Sequence, residues 1–473
     1  NMNINFRKYL IILLGALFLN SCSLLTRSGI SNTSKIYYSD DVNFYYDLTY
    51  RKDNKVNYER QIWEKAYKML DESQDFFLMD VFTFNDFIKK EFAEKVDPIY
   101  IGKEFADKIL EKRKKDPNVE IYLILDENNT FYGAFDNETH EKLRKAGVKI
   151  GYTDLSKLND PISLYSSVWR IFIQPFGNPK NIGTKTNPLY PDEKKVTMRS
   201  ILRAANGKAN HRKVIMNEKE VLLPSANPHA EGSRHSNIAF SFSSPIIKEI
   251  YDFENDSAKL TKKDGDISDG LPEKIFNIPE SNNNKISLQY FTEGKIGRTI
   301  TDEIKNTVAG EEIQIAQFFL SDNRVIKALK AASNRGVTVK LILNNSPAGL
   351  PNKAASGEIM KGTNRKAQIR FYNKGAEEFH SKLLLFLKKD NLVIYGGSSN
   401  LTRRNLRNYN LEDEIKITAS YDQNISKEVL DYFDRLWTNR DGDFTLPYDD
   451  WKNEKFTNYM LFRIMESTGF GIF

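Results

Sequence analysis

Residues 379–412 read FHSKLLLFLKKDNLVIYGGSSNLTRRNLRNYNLE. His380 and Lys382 stand two apart, so on an extended strand both side chains point to the same face. Leu383 to Leu387 is continuously apolar, the pattern of a strand buried on both faces. The polar turn Lys388 to Asn391 predicts a hairpin into a second strand, Leu392 to Tyr395. Gly396 and Gly397 then let the backbone pass close to a neighbour, and Ser398, Ser399 and Asn400 follow with hydrogen-bonding side chains. An imidazole, a fixed cation and hydroxyl or amide donors on adjacent strand ends suit a phosphate group. A single HxK would read more simply, as a buried histidine beside a surface lysine.

The pattern occurs twice. Residues 208–227 read KANHRKVIMNEKEVLLPSAN, in which His211 and Lys213 repeat the spacing. Val214 to Met216 repeat the apolar run, and Ser225, Ala226 and Asn227 repeat the SxN element. Two of only five histidines (His140, His211, His229, His235, His380) fall in the repeat, which raises its weight. The chain here resembles the phospholipase D superfamily, whose mark is two HxKxxxxD motifs, each followed by a GS/GG-x-N element. The resemblance covers most of the chain after residue 55. It departs from the pattern at the motif acid, which is Glu218 in the first copy and is replaced by Leu387 in the second. That acid is usually a structural partner in the family, so its loss bears on local support more than on chemistry.

Alternating strands and helices surround both motifs. Val119 to Leu125 (VEIYLIL) is mirrored by Val337 to Leu343 (VTVKLIL), and helical spacing precedes each. The expected fold is α/β, with two pseudo-twofold-related halves, each a sandwich of helices on a mixed, parallel-rich sheet. The first half is expected over 56–251 and the second over 286–473, with a polar linker at 252–285. The tail aromatic residues Tyr448, Trp451, Tyr459 and Phe462 are read as packing on the second half.

The N-terminus reads as targeting sequence. Arg7 and Lys8 precede an apolar run, Tyr9 to Phe18, too short to span a bilayer. It ends in Leu19, Asn20, Ser21 and Cys22, which resembles a bacterial lipobox. Residues 1–21 are therefore read as a lipoprotein signal peptide, and Cys22, the sole cysteine, as a lipidation site. Residues 22–55, rich in Ser, Thr, Asn and Asp, are read as a tether. The implied location is the bacterial cell envelope, anchored to a membrane and facing away from the cytoplasm. With one cysteine, no intramolecular disulfide forms. The net charge is +6, too small to mark a dedicated nucleic-acid binder and compatible with an anionic membrane surface.

A phosphodiester needs its charge neutralised, a nucleophile and an acid for the leaving oxygen. Lys213 and Lys382 supply charge, Asn227 and Asn400 supply amide donors, and Ser225 and Ser398 are candidate substrate contacts. One histidine attacks phosphorus and the other protonates the leaving group, with no metal or other cofactor expected. His229 and His235 are read as loop or rim residues, because no third metal ligand is evident. Setting Asn227 against Asn400 places Asn237 against Asn410 and Ala239 against Glu412. In the family an acid at the position of Glu412 orients the histidine of the opposite half. The resemblance therefore implies His211 as nucleophile, held by Glu412, and His380 as acid/base, with Glu414 the neighbouring alternative to Glu412.

The first half also carries an insertion, Pro161 to Lys195, that the second lacks. Its start, PISLYSSVWRIFIQPFG, has the apolar spacing of a core helix, which is the expectation. A membrane-facing or acyl-chain-facing element is the functional alternative. The resulting expectation is a phospholipase D-like or cardiolipin synthase-like phosphodiesterase acting on phospholipids, by hydrolysis or phosphatidyl transfer. An endonuclease using the same site and a non-catalytic envelope binding protein are the other readings.

Overall fold

The computed structural model describes residues 30–345, 351–451 and 462–463. The signal-peptide and Cys22 readings lie outside these residues. Two large sheets have matching strand orders. The first is built from β2 (Asp41–Lys52), β3 (Lys55–Glu59), β4 (Phe76–Val81), β5 (Glu120–Leu125), β6 (Lys149–Tyr152), β7 (Lys213–Asn217), β8 (Val221–Pro224) and β9 (Asn237–Ser243). Its order is β3-β2-β9-β8-β7-β4-β5-β6. The second contains β1 (Tyr37–Tyr38), β10 (Ile286–Thr292), β11 (Glu312–Gln317), β12 (Thr338–Leu343), β13 (Gln368–Tyr372), β14 (Lys382–Leu387), β15 (Leu392–Gly397), β16 (Asp413–Ala419) and β17 (Thr445–Pro447). Its order is β1-β10-β16-β15-β14-β11-β12-β13-β17. In each sheet three strands run parallel, β4-β5-β6 and β11-β12-β13, and the motif hairpin joins them antiparallel.

The two sheets pack face to face. Val214, Met216, Leu223 and Phe240 of one share a core with Leu383, Leu385, Ile394 and Ile415 of the other. Gly396 makes this approach possible, since a Cβ there would strike the Phe240 ring. The outer faces are covered by helices. Ile62–Glu72 and Ile101–Lys115 cover the first, burying Ala66, Leu70, Phe105 and Ile109. Gly294–Lys305, Asn323–Asn334 and Asn352–Gly362 cover the second.

Two boundaries differ from the sequence reading. Residues 41–52 are a strand, not part of a tether, and β1 joins the second sheet before β2 joins the first. Val42, Phe44, Leu48 and Tyr50 alternate at period two and are buried, a signal masked by the polar composition around them. The linker begins later than residue 252, because the helix Ile246–Lys259 continues through it. Ile267 and Leu271, farther along, are buried in the central core. In the tail, Tyr448 and Phe462 pack on the second half, whereas Trp451 is exposed and Tyr459 lies outside the described residues.

The halves are also joined by charge. Arg212, between the motif residues His211 and Lys213, is fully buried. Its guanidinium donates to Glu254 on the helix Ile246–Lys259 and to Glu293 at the end of β10. Glu293 holds a positive φ of 48°, a strained backbone stabilised by this pair. Arg212→Met would leave two carboxylates buried without their cation. A loss of about 3–5 kcal/mol in denaturant unfolding is expected, and wild-type stability in this variant would refute the structural role.

Candidate active site

The motif strands place both histidines at the seam between the halves. The segment before β7 bridges the segment before β16 at Asn210 and Leu411, and Ser236 bridges Phe379 in the same way. The backbone N–H of His211 donates to Leu411, and that of His380 donates to Ser236. Each histidine is therefore seated by the loop that follows the SxN element of the opposite half.

That seating fixes the rings. His211 Nδ1 lies 2.9 Å from Glu412 Oε2, and His380 Nδ1 lies 3.0 Å from Asn237 Oδ1. Both partners accept, so in each ring Nδ1 carries the proton and Nε2 has a lone pair. The structure places Glu412 at the position the sequence reading gave it. It also corrects the alignment. Asn237, not Ala239, is the counterpart of Glu412, and Asn410 has no matching role. The second-half loop is two residues longer, and it holds the short helix Arg403–Leu406. Glu414 faces no histidine in the hydrogen-bond pattern, and burial raises its pKa well above the usual carboxylate range.

The serines were expected on the substrate. Their hydroxyls are instead used inside the protein, where Ser225 donates to Asn237 Oδ1 at 3.0 Å and Ser398 donates to Glu412. Both serines are fully buried, so they support the groups that orient the histidines. Asn227 Oδ1 accepts from the Thr83 N–H at 3.3 Å, which leaves its amide hydrogens as donors. Asn400 is nearly buried, and its Oδ1 has no hydrogen-bond partner among the described residues. Glu218, the motif acid of the first half, accepts from the backbone of Gln74 and Asp75 and steadies the entry to β4. Leu387 packs against the central core instead.

The lysines turn back toward their own histidines. Lys213 Nζ donates to the His211 carbonyl at 2.9 Å, and Lys382 Nζ reaches His380 Nε2 at 3.0 Å. Each stands over an aromatic ring, Phe82 at 5.9 Å and Phe318 at 5.3 Å. The same rings flank His211 and His380, with centroids 5.3 and 4.7 Å away. Phe82 and Phe318 were missed in the sequence, although each is the residue directly after equivalent strands β4 and β11. His235 Nδ1 accepts from the Glu378 N–H, and His229 Nδ1 accepts from the Gly232 N–H, so both are held in loop structure.

Burial dominates the electrostatics. It lowers the His211 pKa to about 4 despite the opposing pull of Glu412. Burial and the Lys382 charge hold His380 well below the usual imidazole range. Burial brings Lys213 down to about 8 against the attraction of Glu412 and Asp413, and Lys382 is lowered by burial and by Lys213. Glu412 is driven upward by burial, but its pairing with His211 wins and its pKa falls. In the free protein His211 is thus neutral and Glu412 ionised at neutral pH. A nucleophile must be unprotonated and a phosphate-binding lysine protonated. kcat/KM should therefore decline as pH rises, first because His380, held well below the usual imidazole range, lacks in the free enzyme the proton that the leaving oxygen needs, and further above about 8, where Lys213 loses its own. A profile still rising above pH 9 would contradict this assignment.

A sequence profile described as "Cardiolipin synthase, PLD-like domain" matches residues 300–437. No curated protein matches the chain in sequence. Among solved structures, phosphatidylserine synthase from Haemophilus influenzae Rd KW20 superposes with a TM-score of 0.57 at 9% identity, over 95% of this chain and 98% of that one. Polyphosphate kinase from Porphyromonas gingivalis gives 0.45 at 11% identity, over 83% of this chain and 50% of that one. A phospholipase D family member, Nuc from Salmonella typhimurium, gives 0.28 at 20% identity, over 34% of this chain and 97% of that one. Its doubled HxK hairpins meet across a twofold pair of sheets, its second half carries a match to the PLD-like domain, and the chain as a whole has the fold of that phosphatidylserine synthase.

Proposed function

We propose that the chain is a phosphodiesterase that acts on phospholipids through a phosphohistidine, without a metal, releasing the headgroup or transferring the phosphatidyl group. The observation that carries this reading is the crossed pair His211–Glu412 and His380–Asn237, which orients two imidazoles with Nε2 unprotonated beside two buried lysines. The family description, a cardiolipin synthase-like domain, supports a lipid as the phosphodiester.

An arriving phosphodiester draws Lys213 and Lys382 to its non-bridging oxygens. Its negative charge offsets the lysine repulsion that depresses His380, so that imidazole takes up a proton. His211 Nε2 attacks phosphorus, the bond to the leaving oxygen breaks, and His380 Nε2 gives that oxygen its proton. The ring of His211 now carries phosphate on Nε2 and a proton on Nδ1, and the Glu412 carboxylate offsets its positive charge. His380 then removes a proton from water, whose oxygen attacks phosphorus and breaks the P–N bond. An alcohol in place of water gives transfer.

Incubation with mixed phospholipids, and in parallel with single-stranded and duplex DNA, tests the substrate class by product mass. Headgroup release or a new phosphatidyl ester is expected. DNA cleavage with every phospholipid untouched would replace this reading with an endonuclease, and no turnover of either would favour a binding protein. We further propose that Cys22 is acylated and holds the protein at the envelope membrane, outside the cytoplasm. Cys22→Ala should release the chain from membranes or leave it unprocessed. Wild-type protein recovered without lipid on Cys22 would refute the anchor.

A further inference from the structure

The insertion of the first half is built inside out. In the helix Ser163–Phe172 the buried positions are Ser166, Ser167 and Trp169. Leu164 and Phe172 are 56% and 64% exposed, and helical spacing sets them on one side with the half-buried Val168 and Ile171. The expected core helix therefore turns its apolar stripe outward. Phe176, Ile182, Leu189 and Met198 continue the exposure beyond the helix. Six of the thirteen large apolar side chains exposed among the described residues fall within 163–198. Scattered exposed apolar residues need no explanation, but this concentration does.

These side chains stand on a braced support. Tyr165 donates to the Leu202 carbonyl, and Arg199 donates to Phe176 O with its guanidinium 5.9 Å from the Phe176 ring. Arg170 pairs with Asp160, and Asn178 donates to Tyr132 O. The roots of the insertion lie beside the site. Asn159 donates to Asn408 O, Arg403 donates to Pro161 O, and Lys208 donates to Leu158 O. The chain then re-enters at Asn210, directly before His211.

Charge identifies the occupant. Residues 161–205 hold seven Lys and Arg against two acids, a net +5 in a chain whose total is +6. Lys185, Lys195 and Arg199 have no carboxylate partner among the described residues. An apolar surface flanked by cations fits lipid tails beneath anionic headgroups.

We propose that residues 163–198 form an interfacial platform that enters the surface of an anionic phospholipid bilayer and holds the His211 edge of the site at headgroup level. The identity of what the site meets there rests on the phospholipid reading above; the partition of the surface into a bilayer does not.

The test compares the full chain with Leu164→Asp/Phe172→Asp/Phe176→Asp, both carrying Cys22→Ser so that an acyl anchor cannot mask the difference. All three positions are exposed, so the fold should survive. Co-sedimentation uses vesicles of phosphatidylglycerol and phosphatidylcholine, and turnover is measured on those vesicles and on a short-chain phospholipid below its micellar concentration. The unmodified surface should partition onto phosphatidylglycerol vesicles at least tenfold better than the triple variant, and less well at high salt. Turnover on vesicles should fall with partition, while turnover of the dissolved lipid should not. Equal partition of the two proteins overturns the platform, even where both hydrolyse dissolved lipid. A variant-sensitive partition with no lipid turned over supports the platform and defeats the phospholipid reading instead. A dimer in light scattering that the triple variant dissociates, with vesicle partition unchanged, assigns the face to a second copy and also overturns the proposal.

Discussion

In His211→Ala, turnover of every phosphodiester should fall by at least about 10⁴-fold and no phosphoenzyme should form. The loss is expected to be independent of the leaving group, because the first covalent bond has no donor atom. His380→Ala should behave differently. It keeps Nε2 of His211 and the Glu412 carboxylate behind it, and it loses the proton donor. A lipid alkoxide leaves poorly without a proton, so a fall of about 10²–10⁴-fold is expected there. A nitrophenolate leaves without one, and the burst that forms the phosphoenzyme should be largely kept. The covalent species should then persist, since His380 also activates water for its release. Phosphate trapped in the wild type should map to the peptide containing His211. Label on His380 would reverse the two roles while preserving the two-histidine scheme.

The parts of the chain that were legible share one property: their signal repeats. The strands around VEIYLIL and VTVKLIL, and the two HxK hairpins, are visible because each occurs twice at comparable places. Continuous apolar runs also survive any loop length. Features that depend on pairing across the halves were harder. Arg212 looks like the outward residue of an alternating strand, yet it is fully buried by Glu254 and Glu293, which lie 42 and 81 positions away. No local pattern encodes such a pair. The β2 strand was lost for another reason, since its period-two alternation was outweighed by the Ser, Asn and Asp around it. The insertion helix shows the limit of periodicity itself. Apolar spacing identifies a stripe but not whether core or exterior receives it, and here the serines went inward.

Asn237 was missed because the loops were set in register from Asn227 and Asn400 without allowing for two extra residues in the second. Once placed, it turns an asymmetry of sequence into one of electrostatics. Glu412 gives His211 a charged acceptor, whereas Asn237 gives His380 a neutral one. Both fix the tautomer, but only the carboxylate stabilises a cationic ring. Glu412→Gln should therefore lower kcat by about 10²–10⁴-fold, with little change in KM, since the substrate is held by the lysines and asparagines. The effect should fall on formation of the phosphoenzyme. Asn237→Asp should act on the other step and in a different way. A carboxylate on His380 Nδ1 favours its protonated form, so the pKa of that ring rises. The proton donor is then populated to higher pH, and the ring becomes available to deprotonate water only above that new pKa. The pH dependence of phosphoenzyme breakdown should move upward in Asn237→Asp, with formation at neutral pH little affected. The residues facing His380 that bear on this are Lys382, Lys213, His235 and His211, all of which oppose its protonation. A purely structural role for Asn237 would lower both steps together and leave the pH profile in place. That outcome, or a Glu412→Gln enzyme with wild-type kcat, would remove the electrostatic division of labour between the two histidines.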